Sequence, residues 1–300
     1  MRISYISNPI RFFIIFTACL SCISSNYGIP SNNHSSILSL KLDKLPKDDE
    51  VLKLFQQWKK EMGREYNDLD EMAKRFKIFV STLKYIVEAN AKRESPHSAV
   101  LGLTIFADWS SVEFKKTYLS MNTEKHHDVV ELTCIAIKTK TLQDLSVQEV
   151  LDCTPGPNNC TSGRTTDGFE WVIRNKGVAL ESDYPYTEVK GVCKASQIPN
   201  SPISAIHSFK SVPQSEQGLL CAVADQPISV GFCVTKDFEY HTGEIYEGPH
   251  CSDDPEKVNH SMLIVGYDSL DGEDYWIIKN SWGINWGING YAYVKRNTGK

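Results

Sequence analysis

Two apolar runs of strand type stand near the end of the chain, Met262-Leu263-Ile264-Val265-Gly266-Tyr267 and Tyr275-Trp276-Ile277-Ile278, separated by the polar stretch Asp268 to Asp274. Runs of this length, rich in β-branched and aromatic residues and bounded by turn residues, predict the two strands of a hairpin. His260 leads into the first run and Asn280 ends the second, so antiparallel pairing brings an imidazole and a carboxamide to one end of the sheet. Upstream the pattern is helical. Val51, Leu54, Phe55 and Trp58 recur on one helix face, Gly63-Arg64 interrupts, and Met72, Phe76, Phe79, Leu83, Ile86 and Val87 form a second stripe. Such stripes predict packing helices between Asp48 and Asn90. Further helices are predicted from Phe169 to Asn175 and from Gly218 to Ala224, the latter leading into a strand from Pro227 to Gly231.

An amide that fixes one ring nitrogen leaves the other free to take a proton from a nucleophile. Taken alone, His260 reads as an ordinary sheet histidine and Asn280 as a turn residue. Their surroundings argue otherwise. N-H-S-M-L-I-V-G-Y and Y-W-I-I-K-N-S-W-G-I-N-W-G-I-N-G-Y resemble the histidine and asparagine segments of papain-like cysteine proteases, without a gap from Val258 to Arg296. The resemblance implies that His260 is the general base, Asn280 its orienter, and Trp282 the shield of their hydrogen bond.

The nucleophile of that family lies in C-G-[SA]-C-[WY], about 130 to 150 residues before the histidine. Here that window runs from Ser110 to Val130 and holds no cysteine. Similarity lapses after Lys115 and is firm again by Leu145-Ser146-Val147-Gln148-Glu149-Val150-Leu151-Asp152-Cys153, which predicts loss of the nucleophile segment and of the oxyanion-hole Gln. Cys134 is the alternative nucleophile. It stands closer to Cys153 than the family spacing by about eleven residues, roughly 16 Å along a helix, whereas proton transfer needs about 3 Å. His126-His127 with Cys134 lacks the second tight pair that a zinc site needs, so no metal and no cofactor is implied.

Glu71, Arg75, Phe79, Ile86 and Asn90 resemble the E-R-F-N-I-N signature of the papain-family prodomain, with Thr82 in place of its first Asn. Gly102-Leu103-Thr104-Ile105-Phe106-Ala107-Asp108 resembles its G-x-N-x-F-x-D element, again with Thr for Asn. The two replacements predict weaker internal hydrogen bonding. Cys153 and Cys193 match one family disulfide. Gly163 matches the last glycine of C-N-G-G, which lets substrate backbone bond the cleft wall, while Gly231 and Val258 match positions lining the S2 pocket. Arg164 departs from the apolar residue usual there. The pairing of Cys160, Cys221, Cys233 and Cys251 stays open.

Composition adds the compartment. Arg2 and Arg11, the apolar run Phe12 to Leu20, and the small residues Ser21 to Ser25 follow the order of a signal peptide, and the run is too short for a membrane span. Cys134, Cys153, Cys160, Cys193, Cys221, Cys233 and Cys251 remain after cleavage, an odd number that leaves at least one thiol unpaired. Of the sequons at Asn33, Asn159 and Asn259, the last overlaps the base and is expected to be unused. A net charge of −5 with both signs interspersed gives no reason to expect nucleic acid as a partner.

The resemblance implies an α+β fold with two lobes, an incomplete helical left lobe and a β-barrel-like right lobe, preceded by a helical prodomain. The expected division is a signal peptide at 1–25, an inhibitory prodomain at 47–119, and a peptidase domain at 128–300 lacking the nucleophile segment and the family's C-terminal tail. The expectation is a monomeric papain-like homologue of the secretory pathway, extracellular or vacuolar (lysosomal), free of the membrane after signal cleavage. It is expected to be catalytically inactive, with a peptide, a protein substrate or a related active cysteine protease as partner. An active endopeptidase using Cys134 and a non-catalytic inhibitor or peptide-binding protein are the alternatives.

Overall fold

The computed structural model describes residues 36–119, 143–155, 163–198, 206, 208–213, 215–248 and 257–298. The stretch expected to be a signal peptide, Cys134, Cys160, Cys251 and the His126-His127 pair lie outside the described residues.

Helix α1, Asp48–Glu61, begins with three acidic residues and ends with Lys59 and Lys60, both arrangements favourable to the helix dipole. Its buried face is Val51, Phe55 and Trp58. Gly63 ends the segment in the left-handed region at φ 62°. Helix α2, Leu69–Asn90, is capped by the Asp68 carboxylate, which accepts the Glu71 N–H, and it buries Phe79, Leu83 and Ile86. The Phe55 ring lies 5.1 Å from those of Phe76 and Phe79, so the two apolar stripes meet.

Strand β1, Val100–Leu101, leads to helix α3, Ser111–Tyr118, whose capping box pairs Ser110 with Glu113. Glu113 also accepts both guanidinium nitrogens of Arg75 on α2, at 3.0 and 3.1 Å. Burial pushes the Glu113 carboxyl up, but the bonds from Ser110 and Arg75 outweigh it and hold the group at about 2. Because the folded value lies below the ordinary one, its stabilisation is present above about pH 4.5 and lost as pH falls toward 2. Glu113→Gln is therefore expected to lower the urea midpoint at pH 7 while leaving it unchanged near pH 2.

The left-lobe helices are α4, Val147–Cys153, and α5, Thr165–Asn175. They bury Phe169, Trp171, Val172, Val178 and Ile206 in a cluster of their own. A disulfide joins Cys153 to Cys193 across 40 residues. Closing a loop of that length stabilises by about 4 kcal/mol in the chain-entropy model. Replacing both cysteines by Ser is expected to cost about that much, read as a drop in thermal midpoint of this lobe. Cys233 is also disulfide-bonded, whereas Cys221 is free and exposed.

Helix α6, Glu216–Asp225, precedes β2, Ile228–Phe232; the short helix α7, Lys236–Glu239, then leads to β3, His241–Gly243, and β4, Ile245–Tyr246. Strands β5, His260–Leu270, β6, Glu273–Lys279, and β7, Tyr291–Lys295, complete a five-stranded sheet of order β2-β5-β6-β7-β4, antiparallel except for β4 with β7. The hairpin turn is tighter than the polar stretch predicts. β5 and β6 pair as far as Leu270 and Glu273, leaving Asp271 and Gly272 at φ 51° and 86°, as a two-residue turn of type I′ requires.

The main core runs without a break from helices α1 to α3 into the sheet: Phe55, Trp58, Phe79, Leu103, Phe106 and Phe114 belong with Phe238, Tyr240, Trp276, Trp282 and Trp286. Strand β1 pairs with β3, the Gly102 N–H donates to the Tyr240 carbonyl, and the Ile245 N–H donates to the His97 carbonyl. The two threonines that replace asparagine take part in this junction. Thr104 Oγ1 donates to the Glu239 carbonyl at 3.1 Å and accepts the Phe106 N–H, while Thr82 Oγ1 stands 3.5 Å from the Tyr240 hydroxyl. Both hydroxyls reach the Glu239-Tyr240 segment.

Candidate active site

His260 is the first residue of β5 and Asn280 follows the last residue of β6, so the hairpin register places them at the same sheet end. His260 Nε2 lies 2.9 Å from Asn280 Oδ1, and both residues are buried. The Ser281 N–H donates to the same oxygen at 2.8 Å, which fixes the carboxamide with its oxygen toward the ring. Nε2 is therefore the nitrogen that carries the proton in the neutral ring. The backbone of Tyr118, at the end of α3, hydrogen-bonds the imidazole as well. Burial pushes the ring below the usual histidine range, against the opposing effect of these two hydrogen bonds.

Trp282 covers the pair. Its ring lies 4.9 Å from the imidazole, and it is 3% exposed. Its far edge is closed by prodomain side chains: Phe106 at 5.4 Å, Phe114 at 5.3 Å and Tyr118 at 6.1 Å, with Trp286 at 4.9 Å. Water is kept from the imidazole by groups of both parts of the chain. Sequence reasoning picked out His260, Asn280 and Trp282 but not Tyr118 or Trp286. The W-G-I-N-W-G repeat was a signal for Trp286; Tyr118 carried none, because its place depends on contacts distant in sequence.

Of the residues matched to substrate contacts, Gly231 pairs with Ser261, next to His260. A Cβ on Gly231 would come within 2.7 Å of Val258 Cγ1, so these two positions touch and only glycine fits the first. A Cβ on Gly163 would meet nothing within 4 Å, which leaves its backbone approachable. Arg164 points its guanidinium at Asp167, 2.8 Å away, at the start of α5. Thr165 Oγ1 is 3.3 Å from Ser261 Oγ, tying the left-lobe helix to the residue after the base. The Asn259 side chain accepts the Val234 N–H and donates to the Val234 carbonyl, which occupies both ends of the amide at that sequon. Among the described residues no helix is long and apolar enough to cross a membrane, and no group of three His, Cys, Asp or Glu side chains is arranged to hold a metal ion.

Comparison with known proteins agrees with this geometry. Residues 128–300 match the model of the papain family cysteine proteases, and residues 55–114 match the cathepsin propeptide inhibitor domain. A probable thiol protease of Glycine max is 36% identical over 342 residues, covering 96% of this chain and 89% of the relative. Cysteine protease XCP2 of Arabidopsis thaliana is 32% identical over 345 residues, covering 98% and 94%. Among solved structures, a recombinant stem bromelain precursor superimposes with a TM-score of 0.75 at 31% identity, over 84% of this chain and 94% of that one. A digestive procathepsin L 3 from Tenebrio molitor larval midgut gives 0.70 at 25%, over 83% and 94%. With its paired His260 and Asn280, its helical propeptide and these matches along nearly its whole length, the chain belongs to the papain family of cysteine proteases.

Proposed function

We propose that this family member is a secretory-pathway protein that has lost peptide hydrolysis while keeping the base and its orienter. The observation that carries this reading is the contact at the ring: the main chain of Tyr118 hydrogen-bonds the imidazole beside its bond to Asn280. The sequence supports it, since no cysteine lies between Ser110 and Val130. Cys134 lies outside the described residues.

A thiol-directed, peptide-based active-site probe tests the proposal. No label is expected on the full chain, and labelling that disappears in both Cys134→Ser and His260→Ala would establish the active alternative instead. A second reading, binding to a related active cysteine protease, is favoured by the match of residues 55–114 to an inhibitor domain. Added at micromolar concentration to such a protease, the full chain is then expected to slow it; an unaffected rate would end that reading.

A further inference from the structure

The residues ahead of α1 are fastened to the fold at two points. Ile37 and Leu42 are 1% and 3% exposed and belong to the main core, although they stand outside the residues 55–114 matched to the inhibitor domain. Ile37 opens a short 3₁₀ turn, Ile37–Ser39, and the last residue of α1 anchors it. The Glu61 carboxylate accepts the Ile37 N–H at 2.8 Å and the Ser36 hydroxyl at 3.3 Å, while its other oxygen accepts from Gln57 Nε2 at 2.9 Å. Leu42 is fastened at the far end of α2. There the buried Asn90 carboxamide donates to the Leu42 carbonyl at 3.3 Å and to the Leu101 carbonyl at 2.9 Å, and accepts the Leu101 N–H at 3.0 Å. One side chain ties the arm to α2 and to β1.

We propose that residues 36–42 form a strap that steadies β1 for its pairing with β3, and that the exposed Lys44-Leu45 peptide bond is the site at which hydrolysis releases it. Strand β1 is two residues long, and a two-stranded sheet that short is marginal by itself. Both main-chain groups of Leu101 are taken by Asn90, so a side chain stands where a further strand would otherwise lie. The grip on the sheet then follows within one residue: Leu101 is in register with His241, the Gly102 N–H donates to the Tyr240 carbonyl at 2.9 Å, and Thr242 Oγ1 donates to the Val100 carbonyl at 3.1 Å. This inference does not depend on whether the chain hydrolyses peptides.

The link between strap and α1 is open to attack. Lys41, Asp43, Lys44, Leu45 and Lys47 are all exposed, and exposed connecting segments are where proteolytic nicking concentrates. The lysyl bonds in it differ. Lys41 is followed by the buried Leu42, and the Lys47 carbonyl accepts the Glu50 and Val51 N–H groups as the first turn of α1. Lys44 is followed by Leu45, which is 49% exposed, so this bond is the accessible one for a protease that cuts after basic residues.

In that cut water adds across the amide, the C–N bond breaks, and a carboxylate is left on Lys44 and an ammonium on Leu45. The strap is then a separate peptide. Its contacts no longer benefit from the high effective concentration that the covalent link supplies, so it dissociates and Asn90 loses the Leu42 carbonyl. Helices α1 and α2 keep their own packing, with Phe55 against Phe76 and Phe79. The cut therefore loosens the hold of β1 on β3 without dismantling the helices.

Hydrogen exchange of the full-length protein at pH 7 tests the coupling, read as protection of the Leu101 and Gly102 amides. Ile37→Asp expels the strap and is expected to lower that protection by about tenfold, the equivalent of one buried hydrogen bond. In an Asn90→Ala background the same substitution should change nothing further at these amides, because the strap acts through Asn90. If Ile37→Asp does not fold, Glu61→Ala, which removes only the anchor, replaces it in both backgrounds. A lysine-specific endoprotease is expected to cut after Lys44 before it cuts after Lys53, Lys59 or Lys60 of α1, and the cut chain should show the same loss; Lys44→Gln should prevent both. The proposal is overturned if expelling the strap leaves the Leu101 and Gly102 amides as protected as before, or if the loss is equal with and without Asn90, which would make the arm ordinary core packing. It is overturned as well if the α1 lysines are cut first or if the cut chain keeps full protection.

Discussion

Peptide hydrolysis by the full chain is expected to fall on the order of 10⁶-fold below that of an intact family member, the loss seen when a triad nucleophile is removed from a protease. The reason is geometric. A histidine base accelerates acyl transfer only through the proton it takes from a nucleophile about 3 Å away, and among the described residues the groups that hydrogen-bond the His260 ring are Asn280 and the Tyr118 main chain. The sharper form of the experiment uses variants. In an active enzyme His260→Ala would abolish turnover; on the proposed inactive reading the residual rate should not change, because the imidazole would then have no nucleophile to activate. Asn280→Ala should be equally silent toward activity, yet it leaves the buried Nε2–H without its acceptor, and a loss of about 1–3 kcal/mol in stability is expected on urea unfolding. A residual rate that depends on His260 would sink the inactive reading whatever the residue that supplied the nucleophile.

How much of this was legible in the chain depended on range. The two prodomain helices followed from the spacing of Val51, Phe55 and Trp58 and of Phe79, Leu83 and Ile86, because an apolar face is a local pattern. The meeting of His260 with Asn280 followed from hairpin register, with the turn misjudged only because Asp268 to Leu270 are polar or exposed and continue the strand beyond the core. The junction between prodomain and sheet was another matter. Glu239, Tyr240 and His241 sit in a stretch, Lys-Asp-Phe-Glu-Tyr-His-Thr-Gly-Glu, that reads as a solvated loop. They are buried because Gly102 and Thr104, some 140 positions upstream, cover them. The partners of the threonines at 82 and 104 were hidden for the same reason: they are Tyr240 and Glu239, far from their own helix and loop.

That junction converges on Trp286, and Trp286→Ala is expected to cost about 3–5 kcal/mol, the range for emptying the site of a buried large aromatic. The residue is 0% exposed, and its ring lies 5.0 Å from Phe238, 4.9 Å from Trp282 and 6.0 Å from His241. Its indole N–H is shared between the carbonyls of Phe238 and Glu239, each at 3.2 Å. Alanine removes the filling and the donor together, so two buried carbonyls lose their partner beside a new cavity. Trp286→Phe separates the contributions: it refills part of the space without the N–H, and a smaller loss, about 1–3 kcal/mol, is expected. Urea unfolding checks both values. Because Trp286 lies in the core shared by Phe106 and Phe114 of the prodomain and by the sheet, the unmutated chain should unfold these parts in one transition. Trp286→Ala is expected to split it into two, with the prodomain released first, and retention of a single transition with stability lowered by less than about 1 kcal/mol would mean that the grip on the docking strand lies elsewhere.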